Sequence, residues 1–336
     1  MYHLYTYNSI KRPANVDKIR QKKYNEKKQG GRMEFKKGYI LVGIAVLLLS
    51  YQPNLMNFLL EKLPLILIAF LRIVVATTAL FVIRFTTKKE DKEVHKLTLI
   101  KESIILGVIL SISTIFFCLG MGEMNRMTRF MSEGMLPIFI IMMASMLFTQ
   151  ERNSMFNLVG SMVVIFAIMG VYLITVNDFE LPAAYDHKLV YVFLGAITWA
   201  GYLIYYRKQE ENLNIKDTFL VVGIFLTLFY LIVMIKGNYL DMVKTVEANM
   251  FFMILLLALI VDVGFIFTFY RGVEIIGCNR AGIVLMLCPV LTTVTLAMLA
   301  NKEVQKIQWI GCGLVILANI IQVSKDLIDE EGTIYY

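Results

Sequence analysis

The chain alternates between long apolar runs and short polar joints. A helix of about 20 mostly apolar residues crosses the hydrocarbon core of a bilayer, and ten runs of that length are bounded by charged residues, Pro, Asn or Gly. The pattern therefore predicts an all-α integral membrane protein with ten transmembrane helices. The predicted spans are 38–56, 64–85, 100–121, 128–149, 155–176, 188–206, 217–236, 250–270, 280–300 and 307–324.

The joints between these runs leave no room for a soluble domain, as RFTTKKEDKEVHK after the second span illustrates. The runs are continuously apolar, which excludes the alternating ten-residue strands of a membrane β-barrel. Composition agrees with this interpretation. Hydrophobic residues make up 58% of the chain and charged residues 18%, against about 45–50% and about 25% in soluble domains.

The net charge of +7 belongs to the N-terminal segment. Residues 1–32 carry nine Lys/Arg and two Asp/Glu, and the rest of the chain is neutral. We therefore expect no nucleic-acid partner, a basic cytoplasmic tail over 1–37 and a short acidic C-terminal tail over 325–336. Gly30 and Gly31 can be encoded by a ribosome-binding sequence just before Met33, so Met1 and Met33 are both candidate start sites and segment 1–32 is native only in the first case.

Orientation follows from the distribution of Lys and Arg, which are retained on the cytoplasmic side. If the N-terminus is inside, the inner segments hold 24 Lys/Arg and the outer ones 8. The sequence thus predicts a multi-pass protein of the cytoplasmic membrane with both termini in the cytoplasm.

The two halves of the chain align with each other at a shift of 152 residues, which becomes 151 after the fourth span. An odd number of spans per half gives the second half the opposite orientation, so the halves, 38–176 and 188–324, are predicted inverted five-helix repeats. Such repeats are typical of alternating-access carriers with a site near mid-membrane. The matched pairs are Gly43–Gly195, Phe117–Phe269, Gly120–Gly272, Pro137–Pro289, Glu151–Glu303 and Gly160–Gly311.

Several segments carry a resemblance to a known family. They are LPLILIAFLRIVV in span 2, SEGMLPIFIIMMASMLFTQER and NLVGSMVVIFAIMGVYLI in spans 4 and 5, and their counterparts VLMLCPVLTTVTLAMLANKEV and IQWIGCGLVILANIIQV. Over residues 38–324 the chain resembles the EamA-like, ten-span branch of the drug/metabolite transporter superfamily. The resemblance implies a permease for small metabolites. The SYQPN segment in span 1 and Glu133 depart from the family pattern, which leaves the substrate open.

Three ionisable residues stand out within the predicted spans, where a charge is costly and is either paired or functional. Arg72 is expected to bind backbone carbonyls or Glu133 as a structural element, or else to capture a substrate carboxylate or phosphate. Glu133 is a substrate-binding candidate or the i,i+4 partner of Arg129. Asp262 has no basic residue within a turn; an isolated carboxylate in low dielectric favours its protonated form, which makes Asp262, and next Glu133, a proton-coupling candidate. None of the three charges recurs in the other repeat.

Aromatic residues near mid-membrane are the remaining candidates for a substrate cavity, since such pockets are mostly apolar. They are Trp199, Tyr202, Phe116 and Phe117, although Trp and Tyr also anchor helices at the membrane interface. Pro137 and Pro289 lie at matching positions and are hinge candidates.

Other chemistries have little support in the sequence. The four Cys form no CxxC pair and the three His lie in polar stretches, so we expect no metal site, no cofactor and no catalytic residues. A carrier is our first interpretation; an intramembrane enzyme acting on a lipid and a non-transporting sensor or scaffold are the alternatives. The expected partners are a small-molecule substrate and the lipid bilayer, and a homodimer is left open.

Overall fold

The computed structural model describes residues 33–87, 94–120, 134–148, 158–175, 188–300 and 304–332, and all regular secondary structure within them is helical. Two short 3₁₀ segments, Glu210–Asn212 and Leu240–Thr245, lie in joints. The helices are α1 (residues 33–50), α2 (Gln52–Leu60), α3 (Leu65–Thr86), α4 (Lys96–Gly120), α5 (Met135–Leu147), α6 (Leu158–Thr175), α7 (Lys188–Lys208), α8 (Ile215–Lys236), α9 (Ala248–Ile276), α10 (Cys278–Leu285), α11 (Cys288–Ala300) and α12 (Lys306–Gly332).

The helices have the length and composition of membrane spans. Within the described ranges, six helical stretches are long and apolar enough to cross a bilayer, and two more apolar helices, Met135–Leu147 and Val159–Thr175, are shorter. Large apolar side chains such as Phe85, Leu97 and Ile310 point outward, as a lipid-facing surface requires. The protein is a multi-pass membrane protein; the count of ten spans and the inversion of the halves stay predictions.

The bundle has two ends. At one, which we call the terminal end, the start of α1 lies beside the end of α9, where Gly38 approaches Ile276. The last turns of α12 pack at the same end, where the Tyr39 hydroxyl donates a hydrogen bond to Asp326. The opposite end, which we call the distal end, contains α2 and the α2–α3 joint at residues 61–64.

The main helix contacts join the predicted halves to each other. Helix α6 packs along α12, α4 packs along α7, and α8 packs against both α3 and α4. Helix α10 packs against α5, and the middle of α9 packs against α3. Because most of the packing is between halves, the space enclosed by α3, α4, α7, α8 and α9 lies at the interface of the two.

Helix α12 is longer than the apolar pattern predicted. The apolar pattern predicts that the last span ends at residue 324 and that a short acidic tail begins at 325. The helix instead continues to Gly332. Asp326 is fully buried, and Leu327 packs against the main core. The carboxylate of Asp326 has polar partners inside the bundle, namely Tyr39, Gln322 and Arg280.

The helix that carries Pro289 is interrupted. Residues 286–287 form a turn between α10 and α11. Proline has no N–H to donate to the carbonyl of Leu285, and its ring collides with that carbonyl in a regular helix. The helix is therefore interrupted in the turn that precedes Pro289. Pro137 is the third residue of α5. A hinge function for either proline stays a prediction.

Candidate functional site

A cavity of about 400 Å³ lies between the two halves. It extends from Gln52, Pro53 and Leu65 at the distal end to Leu80 and Phe219, deeper in the bundle. Most of its surface is apolar. Its aromatic lining consists of Phe117, Trp199, Tyr202, Phe219, Tyr230, Phe265 and Tyr270.

Arg72 and Asp262 form an ion pair in the wall of this cavity, and they are the two charged side chains among its described lining residues. Arg72 Nε donates a hydrogen bond to Asp262 Oδ2 at 3.1 Å, and Nη2 donates a second one to Oδ1. The third guanidinium nitrogen, Nη1, lies 3.5 Å from the sulfur of Met56. The two parallel bonds match the fork of the guanidinium to the carboxylate, the strongest geometry for such a pair.

The pair is largely screened from water. The side chain of Arg72 is 14% exposed and that of Asp262 is 28% exposed, and both exposed parts face the cavity they line. A molecule that enters the cavity therefore meets one positive and one negative group in surroundings that are otherwise mostly apolar. Opposite charges in a low-dielectric site bind polar ligand groups more strongly than they do in water.

The prediction that Asp262 is an isolated carboxylate is wrong. Its partner lies 190 residues away along the chain, so the residues next to Asp262 in the sequence do not reveal it. Arg72 lies inside the bundle, and its charged partner among the described residues is Asp262. Glu133 and Arg129 lie outside the described residues, and the roles predicted for Glu133 stay predictions.

The backbone around Asp262 departs from a regular α-helix. Residues Leu257–Val263 and Ile266–Tyr270 of α9 are π-helical. Pi-helical segments are rare and are found mostly at functional sites, because the extra residue per turn re-aims the side chains. Asp262 is the one carboxylate in these two segments, and the local geometry directs it toward α3.

Three of the four predicted aromatic residues line the cavity: Trp199, Tyr202 and Phe117. Trp199 lies 6.4 Å from Phe265 between ring centroids. Phe116 is half-buried and lies outside the described cavity lining, because adjacent helix positions differ in direction by about 100°. Tyr230 and Phe265 also line the cavity, and the same signal, an aromatic residue near the middle of a span, applies to both.

Comparison with known proteins bears on the second half of the chain, which contributes Asp262 and Trp199 to the cavity. Residues 188–323 match the model of the EamA-like transporter family. This segment of the chain is therefore similar to that family. The match is consistent with a member of the drug/metabolite transporter superfamily.

Both halves of the chain share their fold with a solved protein. One crystal structure is 11% identical to this chain and superimposes on it with a TM-score of 0.67, and the alignment covers 85% of this chain and 96% of the other. At that identity the likeness shows the fold alone. No curated protein matches the chain in sequence.

The cavity needs both halves of the molecule. The second half supplies Asp262, Trp199 and Tyr202, and the first half supplies Arg72 and Phe117. Among the described residues, no group of three His, Cys, Asp or Glu could hold a metal ion. The site as built is suited to binding an organic molecule through charge pairing and aromatic contact.

Proposed function

We propose that the protein is a secondary transporter that moves a small metabolite, such as an amino acid or a related organic compound, across the cytoplasmic membrane by alternating access. One observation carries this proposal: a mostly apolar cavity between the halves is lined by a single ion pair to which each half contributes one member. The family match of residues 188–323 supports a membrane transporter.

Close contacts between helices support the two-repeat arrangement. Gly120, at the end of α4, lies against the start of α7. A Cβ atom at Gly120 would lie 2.8 Å from the backbone nitrogen of Val192 and 2.9 Å from the carbonyl oxygen of Lys188. Only glycine allows the two helices to approach this closely without displacing the backbone of α7.

Gly272 is the residue that the 152-residue shift pairs with Gly120, and it makes the corresponding contact with α1. A Cβ at Gly272 would lie 3.2 Å from the backbone nitrogen of Val42 and 3.1 Å from the carbonyl oxygen of Gly38. In each case the glycine faces a carbonyl and the amide four residues later on the first helix of the other half. This correspondence supports halves related by a pseudo-two-fold axis.

Alternation of helix direction supports inversion. Helix α4 is antiparallel to α7, since Gly120 at its end lies by Val192 and Glu102 near its start accepts a hydrogen bond from Tyr205. If successive spans alternate, α1 and α7 point in opposite directions. The first helices of the two predicted repeats then enter the membrane from opposite sides.

The chemistry of the site favours a substrate that carries both charges. A lone anion at Arg72 would leave Asp262 buried without a partner, and a lone cation at Asp262 would strand Arg72; either costs about 3–5 kcal/mol in a buried pair. A zwitterion replaces one ion pair by two. Its apolar part is then accommodated by the aromatic side chains of Trp199, Tyr202 and Phe265.

Energy coupling is proposed at the same pair. Protonation of Asp262 would release the guanidinium of Arg72 for a substrate carboxylate, and loss of that proton on the other side would reform the pair. Exchange against a second solute is the alternative, in which the counter-substrate separates the pair. We place the terminal end in the cytoplasm, because the Lys/Arg excess of the sequence lies there.

Binding is tested by thermal unfolding of the purified protein with L-phenylalanine, its N-acetyl derivative and its methyl ester. A ligand that binds the folded state at 100 times its Kd stabilises it by about 2.7 kcal/mol. We expect the free amino acid to raise the unfolding temperature and the two derivatives, each of which lacks one charge, to have little effect. The Arg72→Gln variant should lose the response, because the substrate carboxylate then has no cationic partner, and Arg84→Gln, whose guanidinium pairs with Asp217 away from the cavity lining, should keep it.

Transport is tested in proteoliposomes. Uptake of a stabilising compound that is trans-stimulated by the same compound inside supports a carrier, and formation of a chemical product supports an intramembrane enzyme. Binding with neither flux nor product would support a sensor.

A further inference from the structure

A second buried ion pair lies at the terminal end, outside the cavity lining. Asp326 of α12 is fully buried. Its Oδ2 atom accepts hydrogen bonds from the Tyr39 hydroxyl at 2.5 Å and from Gln322 Nε2 at 2.8 Å, and Arg280 Nε lies 3.2 Å from the same oxygen. We call these four residues the Asp326 cluster.

The Asp326 cluster connects helices from both halves of the protein. Tyr39 belongs to α1, Arg280 to the first turn of α10, and Asp326 to α12. The guanidinium of Arg280 also lies over the ring of Phe35 in α1, 4.9 Å from its centroid. The hydrogen bond between Tyr39 and Asp326 joins α1 to α12, and the cation–π contact between Arg280 and Phe35 joins α1 to α10.

The joint beside Arg280 is suited to a change of direction. Gly277 separates α9 from α10 and has φ 85° and ψ 168°, a conformation that residues with a Cβ rarely adopt. The helix that carries Asp262 ends at this joint, and the helix that carries Arg280 begins there. A rotation about the joint would move Arg280 relative to α1 and α12.

The terminal end is sealed between the cavity and the Asp326 cluster. Tyr206 and Tyr270 are buried, and their rings contact each other with centroids 4.7 Å apart. Phe219 packs on both, at 5.8 Å and 4.5 Å. The cavity thus extends to the distal end but is closed toward the terminal end by this aromatic layer.

Stability alone is a weak reason for a buried ion pair. Desolvation offsets much of the Coulomb attraction, and Asp326 Oδ1 is buried with no hydrogen-bond partner in the part of the chain that is described. Buried polar groups of this kind are best attested where they select one of two arrangements. The repeat does not duplicate the carboxylate, because the 151-residue shift pairs Asp326 with Thr175.

We propose that the Asp326 cluster is a latch that keeps the terminal end closed, and that its contacts to α1 separate each time the cavity opens at that end. The proposal rests on the alternating-access function proposed above. Its residues act on transport by holding α1 against α10 and α12, since none of them lines the cavity. Because the latch exists at one end, it biases the resting protein toward the state open at the distal end.

The native thiol of Cys118, which lines the cavity, is a reporter of access. Cys278, Cys288 and Cys312 are replaced by alanine, and the protein is reconstituted in one orientation. A membrane-impermeant maleimide is then added to one side at a time, without substrate. In the otherwise unchanged protein we expect faster labelling from the distal side than from the terminal side.

Asp326→Asn keeps the shape of the side chain and removes its charge. We expect it to raise the ratio of terminal-side to distal-side labelling about tenfold, which corresponds to about 1.4 kcal/mol between the two states. Tyr39→Phe removes one bond across the halves and should shift the ratio in the same direction by a smaller factor. Asp241→Asn is the matched control, because its exposed i,i+3 pair with Lys244 joins no second helix.

An unchanged labelling ratio in both Asp326→Asn and Tyr39→Phe overturns the latch. A lower unfolding temperature with an unchanged ratio means that the cluster is only structural, which also overturns it. If Asp326→Asn fails to fold, Tyr39→Phe decides. Labelling needs no substrate, so failure of the flux assay would count against the transport proposal while this measurement still judges the latch.

Discussion

The Arg72–Asp262 pair allows a quantitative test of how the two halves are held together. Asp262→Asn leaves the guanidinium of Arg72 without a counter-charge in an apolar wall. Removing one partner of a fully buried pair costs about 3–5 kcal/mol. The carboxylate is 28% exposed to the cavity, so part of this cost is relieved by water, and we expect a loss of about 2–3 kcal/mol in the free energy of unfolding.

The double variant Arg72→Met/Asp262→Asn removes both charges. Since no charge is then stranded, we expect it to be more stable than Asp262→Asn alone, with a coupling energy of about 2 kcal/mol in the double-mutant cycle. The assay is denaturant unfolding in lipid–detergent micelles, followed by tryptophan fluorescence. Single effects below about 0.5 kcal/mol that simply add would refute the ion pair as a connection between α3 and α9.

Two further predictions concern packing and coupling. Gly272→Ala should destabilise the protein by about 1–3 kcal/mol in the same unfolding assay, because the added methyl group presses on the side chain and backbone of Val42. Gly43→Ala is the control and should be neutral or stabilising, because no atom lies within 4 Å of the added methyl group. In proteoliposomes, Asp262→Asn should abolish uptake driven by a pH gradient while retaining counterflow, and full pH dependence in this variant would place the proton site elsewhere.

The positions of the helices follow closely from the apolar pattern. The predicted spans 64–85 and 217–236 correspond to Leu65–Thr86 and Ile215–Lys236, because Pro64 precedes one helix and Asn214 caps the other. The side chain of Asn214 accepts hydrogen bonds from the amides of Lys216 and Asp217. Local signals of this kind act within a few residues, and a single sequence displays them directly.

The pairing inside the site could not be read in the same way. Whether Arg72 meets Glu133, a carbonyl or Asp262 depends on how helices from two halves are oriented, and the π-helical turns of α9 shift the direction of Asp262 in a way that apolar periodicity does not encode. Asp326 was missed for a related reason. Its burial results from Tyr39 and Arg280, which are remote in sequence.

The pairing of one cation with one anion in the cavity has an electrical consequence. Moving a binding site with no net charge across the membrane potential changes no electrical energy, whereas moving each uncompensated charge changes it by about 2.3 kcal/mol per 100 mV. In the transport cycle proposed above, the empty protein would therefore reorient at equal cost in an energised and a de-energised cell. A zwitterion keeps this balance, and a proton bound at Asp262 adds one positive charge, so that only the proton makes the cycle sensitive to voltage.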